Sequence, residues 1–520
     1  MKRKHCFCTF LLLGALASCP AQGWLARYNG PANDEDEARA IAADGAGGVY
    51  VTGLSWGSSF DWATVRYGPS GNQLWVARYD GPAGGADAAM AVAARGDRVV
   101  VTGASAAGNL FDDMLTIAYT ASGDTVWTAR YDGPGNGNDA GLAVGFDPAG
   151  RVYVTGYSNG GGEFWDFTTA CYNAAGAEQW LARHPTEDES YAVGLAVDAA
   201  GNCHVAGSTG SPYTMSWDYL TVKYDSAGNE LWAARYNGPA DEHDEARAIA
   251  LDAAGNVHVT GGSARPGTGA DFTTIRYSPA GETLWLRRYD GPANGADWAN
   301  ALALDAAGNI YVTGSSQGTT TDVDFATVKY APDGTRLWVA RYDGPSSGFD
   351  EARAIAVDAD GIYVTGTSTG DGTRADYATV KYDLSGRQEW VVRYDGPAGR
   401  FDEPRGTALD GAGGICVTGF SVGSGTGSDY ATLRYATTGL AEAAPDASRI
   451  TSGIGPTIVR EVLVLAPDSG VLNSDFALLD ALGRRVMALA PGPNDIARLA
   501  PGVYFVRAGA GITRVVVGGR

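Results

Sequence analysis

Carboxylates return in this chain at one fixed place. Asp36, Asp87, Asp139, Asp244, Asp297, Asp350 and Asp402 each follow a Gly-Pro turn by five residues, and Glu189 takes the place in a degenerate fourth copy. Neighbours thicken the set in Asp34-Glu-Asp-Glu37 and Asp241-Glu-His-Asp-Glu245. Clustered oxygens suit a hard cation such as Ca²⁺ or a cationic ligand. The competing reading is that each Asp ties its own loop by accepting backbone N–H groups. Recurrence with the repeat favours the second.

A second set is defined by variation. Between two constant phrases the copies carry Trp56 and Phe60, then Leu110 and Phe111, then Phe164 and Trp165, then Tyr213, Met215 and Trp217, while later copies carry Gly, Thr, Ser and Asp. Exposed aromatics on variable loops over a rigid scaffold are binding-site material. The bland alternative is that they fold down onto their own scaffold. Catalytic types are scarce by comparison. His184, His204, His243 and His258 share no ligand spacing, and there is no nucleophile elbow, Cys-x-x-Cys or phosphate loop.

The elements that must hold these residues are read from the repeat. Trp-x-x-Arg occurs eight times, from Trp24-Leu-Ala-Arg27 to Trp390-Val-Val-Arg393, at intervals of 51, 52, 53, 52, 53, 53 and 52 residues. Seven copies continue into Tyr-(Asp/Asn)-Gly-Pro. A period of this size means one supersecondary unit in tandem. Each unit holds four short runs rich in Val, Ile, Tyr and Thr, bounded by Gly, Asp, Asn or Pro, which predicts four strands. Turns such as Asp305-Ala-Ala-Gly308-Asn309 place Gly where a tight hairpin needs positive φ. The Trp set reads as core, and Arg27 with its equivalents as partners of acidic residues between strands.

Tyr-Val-Thr-Gly and its variants end at Gly53, Gly103, Gly156, Gly207, Gly261, Gly314, Gly366 and Gly419; Asp-x-x-Thr-x-x-Tyr ends at Tyr67 in the first unit and Tyr435 in the last. A Trp strand precedes the first unit at Trp24 and none follows the last. That offset suits a ring whose N-terminal strand completes the final blade and hides an edge. The prediction is an all-β chain: an eight-bladed β-propeller of four-stranded antiparallel blades over residues 22–435, closed between Trp24–Tyr28 and Asp429–Tyr435.

The Tyr-Asp-Gly-Pro, Asp-Glu-Ala-x-Ala-Ile-Ala, Tyr-Val-Thr-Gly and Asp-Tyr-Ala-Thr-Val-Lys-Tyr phrases resemble the SBBP-type β-propeller repeats of secreted bacterial proteins. The resemblance implies architecture and an extracellular setting, and carries over no catalytic residues. A fainter likeness joins Asp383-Leu-Ser-Gly386-Arg-Gln-Glu-Trp390 to the Asp-x-x-Gly-x-x-x-Trp turn of quinoprotein dehydrogenases, without that group's adjacent-Cys pair.

Residues 1–21 read as a secretory signal: Lys2, Arg3 and Lys4, an apolar run, then small residues. Leu16-Ala17-Ser18-Cys19 is similar to a lipoprotein box, and cleavage after Ala21 is the alternative and the preferred reading. Residues 436–448 read as a linker. Residues 449–520 resemble the C-terminal sorting domain of the type IX secretion system, a small β-sandwich, on Gly483, Arg484, Pro501, Gly502, Val503 and Tyr504. The resemblance implies recognition by an outer-membrane translocon. A structural cap is the other reading.

The formal net charge is −21, with no basic stripe to neutralise phosphates, which excludes nucleic acid as a partner. No other run is apolar for the 18 residues a spanning helix needs. Cys171, Cys203 and Cys416 fall singly on strands of different units, giving neither a disulfide framework nor a metal site. The expectation is a secreted or surface-attached binding or structural module, needing no cofactor unless the acidic set takes Ca²⁺, whose ligand is an extracellular protein or glycan. An extracellular enzyme (quinone-dependent oxidoreductase, or glycan-acting hydrolase or lyase) and a lectin are the alternatives.

Overall fold

The computed structural model describes residues 22–437 apart from 109–110, 162–163, 187, 212, 215, 268, 371 and 373. In the tail it describes 457–459, 462–465, 477–479, 484–488, 492–495, 502–508 and 511–517. The signal segment, most of the linker, Leu110, Met215, Gly483 and Pro501 lie outside these residues. The chain divides into two compact units at Ala441/Glu442.

The first unit is built of eight four-stranded antiparallel sheets. In blade 1 the strands, here A to D, are Asp36–Ala43, Val49–Trp56, Phe60–Tyr67 and Gln73–Tyr79. Blades 2 to 7 repeat this order over 87–131, 140–184, 189–236, 244–289, 297–342 and 350–394. Blade 8 takes A to C from Asp402–Leu409, Gly414–Val422 and Ser428–Ala436, and D from Gln22–Tyr28. There Trp24 pairs with Arg434 and Tyr28 with Tyr430, as the offset in the sequence requires. The propeller is closed.

A strands of neighbouring blades lie against one another around the axis, and the Trp strands lie outermost. The central B and C strands are buried almost throughout, as in Val49–Trp56, where every residue but Trp56 is buried, because each blade is covered by its neighbours on both faces. Buried hydroxyl pairs join them, Thr52 to Thr64 at 2.9 Å and Thr313 to Thr327 at 3.0 Å.

Two devices fasten blade to blade. The indole N–H of Trp24, Trp75, Trp127, Trp180, Trp232, Trp285 and Trp338 donates to a carbonyl in the C–D hairpin of the next blade, at 2.9–3.3 Å. In six of these hairpins the Gly lies against that same indole, and in blade 6 Gly334 lies against Arg287 instead. A Cβ on Gly71 would stand 2.6 Å from the Trp24 ring, and φ there is +79°, so space and backbone both demand glycine. Near the opposite ends of the D strands, Arg78 bridges Asp61 of its own blade, at 2.6 Å, to the Tyr28 hydroxyl of the previous one, at 2.9 Å. Arg27, Arg130, Arg341 and Arg393 repeat the bridge.

The tail unit holds a five-stranded sheet, in the order Thr457–Val459, Gly511–Val517, Gly502–Ala508, Ala477–Leu479, Arg485–Ala488, and a two-stranded sheet of Val462–Leu465 with Gly492–Asp495. Exposed Arg484 leads into one strand, and Gly502, Val503 and Tyr504 open another. Cys171, Cys203 and Cys416 are free and buried, and burial pushes the Cys171 and Cys416 thiols up to about 11 and about 12.

Two expected outcomes follow from this packing. Deleting residues 22–28 leaves the Ser428–Ala436 edge unpaired, so the shortened chain should melt lower and associate with rising concentration, by calorimetry and size-exclusion chromatography. A monomeric product with unchanged melting would contradict the closure. His204 and His258 are fully buried where other blades place Tyr50, Tyr153, Tyr311 and Tyr363, and burial depresses both imidazoles to about 4. A depressed folded-state pKa gives stability that is present above the unfolded value near 6.5 and lost as pH falls towards 4. The loss is on the order of 3 kcal/mol per histidine. His204→Tyr with His258→Tyr should flatten the melting temperature between pH 6.5 and pH 4; an unaltered slope would contradict this.

Candidate functional site

The recurrent carboxylates serve the loops. Asp36, Asp87, Asp139, Asp244, Asp297, Asp350 and Asp402 are all fully buried. Each accepts the N–H of the Gly in its own Gly-Pro turn, at 2.7 Å from Gly81 to Asp87 and 2.5 Å from Gly344 to Asp350. In blades 2, 3, 5, 6 and 7 the second oxygen accepts an N–H from the end of the B strand, where the B–C loop begins, as Thr369 gives to Asp350 at 3.0 Å. Both loops thus share one face and are tied together there. Desolvation raises the pKa of all seven carboxyls, against those hydrogen bonds.

Five of the seven belong to triads whose oxygens lie within 4.8 Å of one another: Asp61, Asp80 and Asp87; Asp113, Asp132 and Asp139; Asp271, Asp290 and Asp297; Asp324, Asp343 and Asp350; Asp376, Asp395 and Asp402. Such a triad offers oxygens to a divalent cation. In every one, though, an arginine already faces the C-strand Asp, from 2.6 Å for Arg78–Asp61 to 3.8 Å for Arg265–Asp271. An incoming cation competes with that guanidinium.

The variable-loop aromatics divide into pairs. Trp56 and Phe60 face each other across the B–C turn of blade 1, edge to face at 4.6 Å. In blade 3 Trp165 stacks on Tyr157 at 4.6 Å, and Phe164 reaches Tyr213 of blade 4 at 6.2 Å. Trp217 is buried edge-on against Tyr191 and packs its own loop. Tyr213, at 78% exposed, and Phe111, at 43%, are the residues most open to a ligand. The sequence reading missed Phe349 and Phe401, which are equally exposed but sit in the Gly-Pro loops of blades 7 and 8.

It also missed the channel. Every A strand carries a β-bulge at one position, held in turn by Arg39, Met90, Leu142, Val193, Arg247, Asn300, Arg353 and Arg405. A bulge sets two residues against one and re-aims a side chain. Blades 5 to 8 and blade 1 thus present four arginines and an asparagine to the axis, and blades 2 to 4 present apolar groups.

A hydrogen-bonded chain joins the polar arc. Glu245 takes Arg247 at 3.1 Å and His243 at 3.4 Å; Arg247 donates to Asn300 at 2.6 Å and lies 4.6 Å over the Trp298 ring. Asn300 donates to Glu351 at 3.2 Å. Arg353 is shared by Glu351 at 2.8 Å and Glu403 at 2.9 Å, and Glu403 also takes Arg405 at 3.1 Å. In blade 1 Arg39 meets Glu37 at 3.2 Å. Burial opposes ionisation of Glu245, yet the bonds from His243 and Arg247 hold its carboxyl below the usual range. The signal that would have found this set was the third residue after the recurrent Asp, which is Arg in blades 1, 5, 7 and 8 and Asn in blade 6 but apolar in blades 2 to 4.

Among known proteins, the family model described as SBBP: Beta-propeller repeat matches residues 26–61 and 287–319, the same part of two repeats. An uncharacterized WD repeat-containing protein of Acanthamoeba polyphaga mimivirus is 22% identical over 435 residues, covering 58% of this chain and 31% of that one. The chain therefore spans about a third of that relative's length. Puromycin hydrolase superposes with a TM-score of 0.41 at 14% identity, over 85% of this chain and 65% of that one. The periplasmic gluconolactonase of Pseudomonas aeruginosa gives 0.38 at 14%, over 58% and 84%. The family model supports an SBBP-type β-propeller.

Proposed function

We propose that the protein is an exported, non-catalytic binding module. Its propeller holds an extracellular protein or glycan on the face that carries the B–C and Gly-Pro loops. The C-terminal unit serves as the address read by a secretion translocon, so the mature protein resides outside the cell or on its surface. The observation that carries the binding role is the contrast between tightly repeated blades and copy-specific exposed aromatics, Phe111 and Tyr213 above all, on one face of a closed ring. A rigid scaffold with variable aromatic loops is how recognition is usually mounted. The division of the chain at Ala441/Glu442 supports an address separable from the propeller.

The binding role is tested on a glycan array and against extracellular proteins. A ligand captured by the full chain should bind about tenfold more weakly to Tyr213→Ala or Phe111→Ala with melting unchanged, as for exposed hot-spot residues. Equal affinity in both variants would remove the loop face as the site. For the address, a chain of residues 22–440 should melt like the propeller in the full protein yet remain in the periplasm of the native host. A shortened chain that unfolds, or that is exported normally, would make the tail a structural cap.

A further inference from the structure

The polar arc encloses a cavity of about 290 Å³ lined by Arg39, Met90, Asn300, Arg353 and Arg405. Its wall contains three guanidiniums and no carboxylate. Glu37, Glu351 and Glu403 hold those guanidiniums by their terminal nitrogens from outside the wall. The Asn300 carbonyl is taken by Arg247, so this residue adds no free acceptor. The three guanidiniums come from adjacent blades 7, 8 and 1 and line one cavity, so they make a single site. Met90 adds an apolar contact from blade 2.

The geometry points to an oxyanion site at the mouth of the channel, taking a small organic carboxylate whose oxygens accept from Arg39, Arg353 and Arg405 while its carbon body lies against Met90. Guanidinium donors favour an anionic acceptor over a neutral polyol, whose own O–H groups would find no acceptor in this wall. A planar carboxylate matches the guanidinium fork. A volume of about 290 Å³ admits a molecule of a few carbons. The arc is also a local exception in a chain of net charge −21, so anions are steered to it only at close range. This site is separate from the loop aromatics and stands whether or not they take a ligand.

The test is calorimetric titration of the full-length protein at constant ionic strength with sodium benzoate, succinate, phosphate and sulfate. A carboxylate should bind at one per chain, and Arg353→Gln should weaken it about tenfold or more. Met90→Phe fills the cavity and keeps every ion pair, so it should abolish binding without lowering the melting temperature; it decides the matter if Arg353→Gln folds poorly. Phosphate or sulfate binding as tightly as either carboxylate, with the same losses, would keep the oxyanion site and overturn the organic body. No heat with any probe up to about 10 mM, or binding unchanged in Met90→Phe, would overturn the site itself. Tyr213→Ala should leave this binding intact, which separates the channel from the loop face.

Discussion

Every feature of the propeller depends on one interface made eight times around a circle. At seven of these seams an outer-strand tryptophan donates its indole N–H to the next blade's hairpin, and at six of them a glycine in that hairpin makes room for the ring. These partly buried rings pack against the apolar B and C strand faces that neighbouring sheets bury together. The Arg–Asp–Tyr bridge repeats towards the other end of the same strand. With both ends of each outer strand fixed, the step from blade to blade is fixed too, and the ring can close only when the last step meets the first. Gln22–Tyr28 supplies that step. Constancy in the Trp, Arg, Asp and Gly positions is therefore a consequence of closure, and says nothing about ligands.

That division explains what could be read in advance. Strand number, closure at Trp24 and the roles of Trp and Arg were legible because packing imposes them on every copy. The carboxylates at Asp36, Asp87 and their equivalents were legible as a set, and their buried place beside the Gly-Pro turn is the reason they recur. The aromatic loops were legible as variation, but not their burial. Trp217 and Tyr213 lie four residues apart, yet one packs under the loop and the other faces solvent. Phe349 and Phe401 escaped notice because they occupy a loop whose neighbours are constant. The channel arginines escaped for a different reason. In a regular strand the residue after a buried Ala faces a defined side, and the bulge between Ala352 and Ala354 breaks that alternation. No pattern of apolar and polar residues reports an inserted bulge.

Electrostatics then distinguishes the two kinds of acidic group. Asp350 and its equivalents sit in low dielectric, ionised against desolvation by backbone N–H groups, and desolvation leaves their pKa raised. Asp44, Asp252 and Asp410 at the opposite hairpins pair with Arg66, Arg276 and Arg434. In neither class does a carboxylate wait unpaired on the surface for a cation. At the axis the carboxylates are spent on holding guanidiniums in place.

The asymmetry of the ring follows from the same logic. An eightfold scaffold offers eight equivalent places at each level, and a binding site arises only where the copies cease to be equivalent. Here the copies depart in two regions. Aromatic B–C loops belong to blades 1 to 4, and arginine, asparagine and glutamate at the channel belong mainly to blades 5 to 8 and blade 1. The two sets overlap only in blade 1. Because each departure lies outside the indole and Arg–Asp–Tyr fastenings, the copies can differ there without breaking those fastenings. A large ligand on the rim and a small one at the axis are thus compatible on a single face.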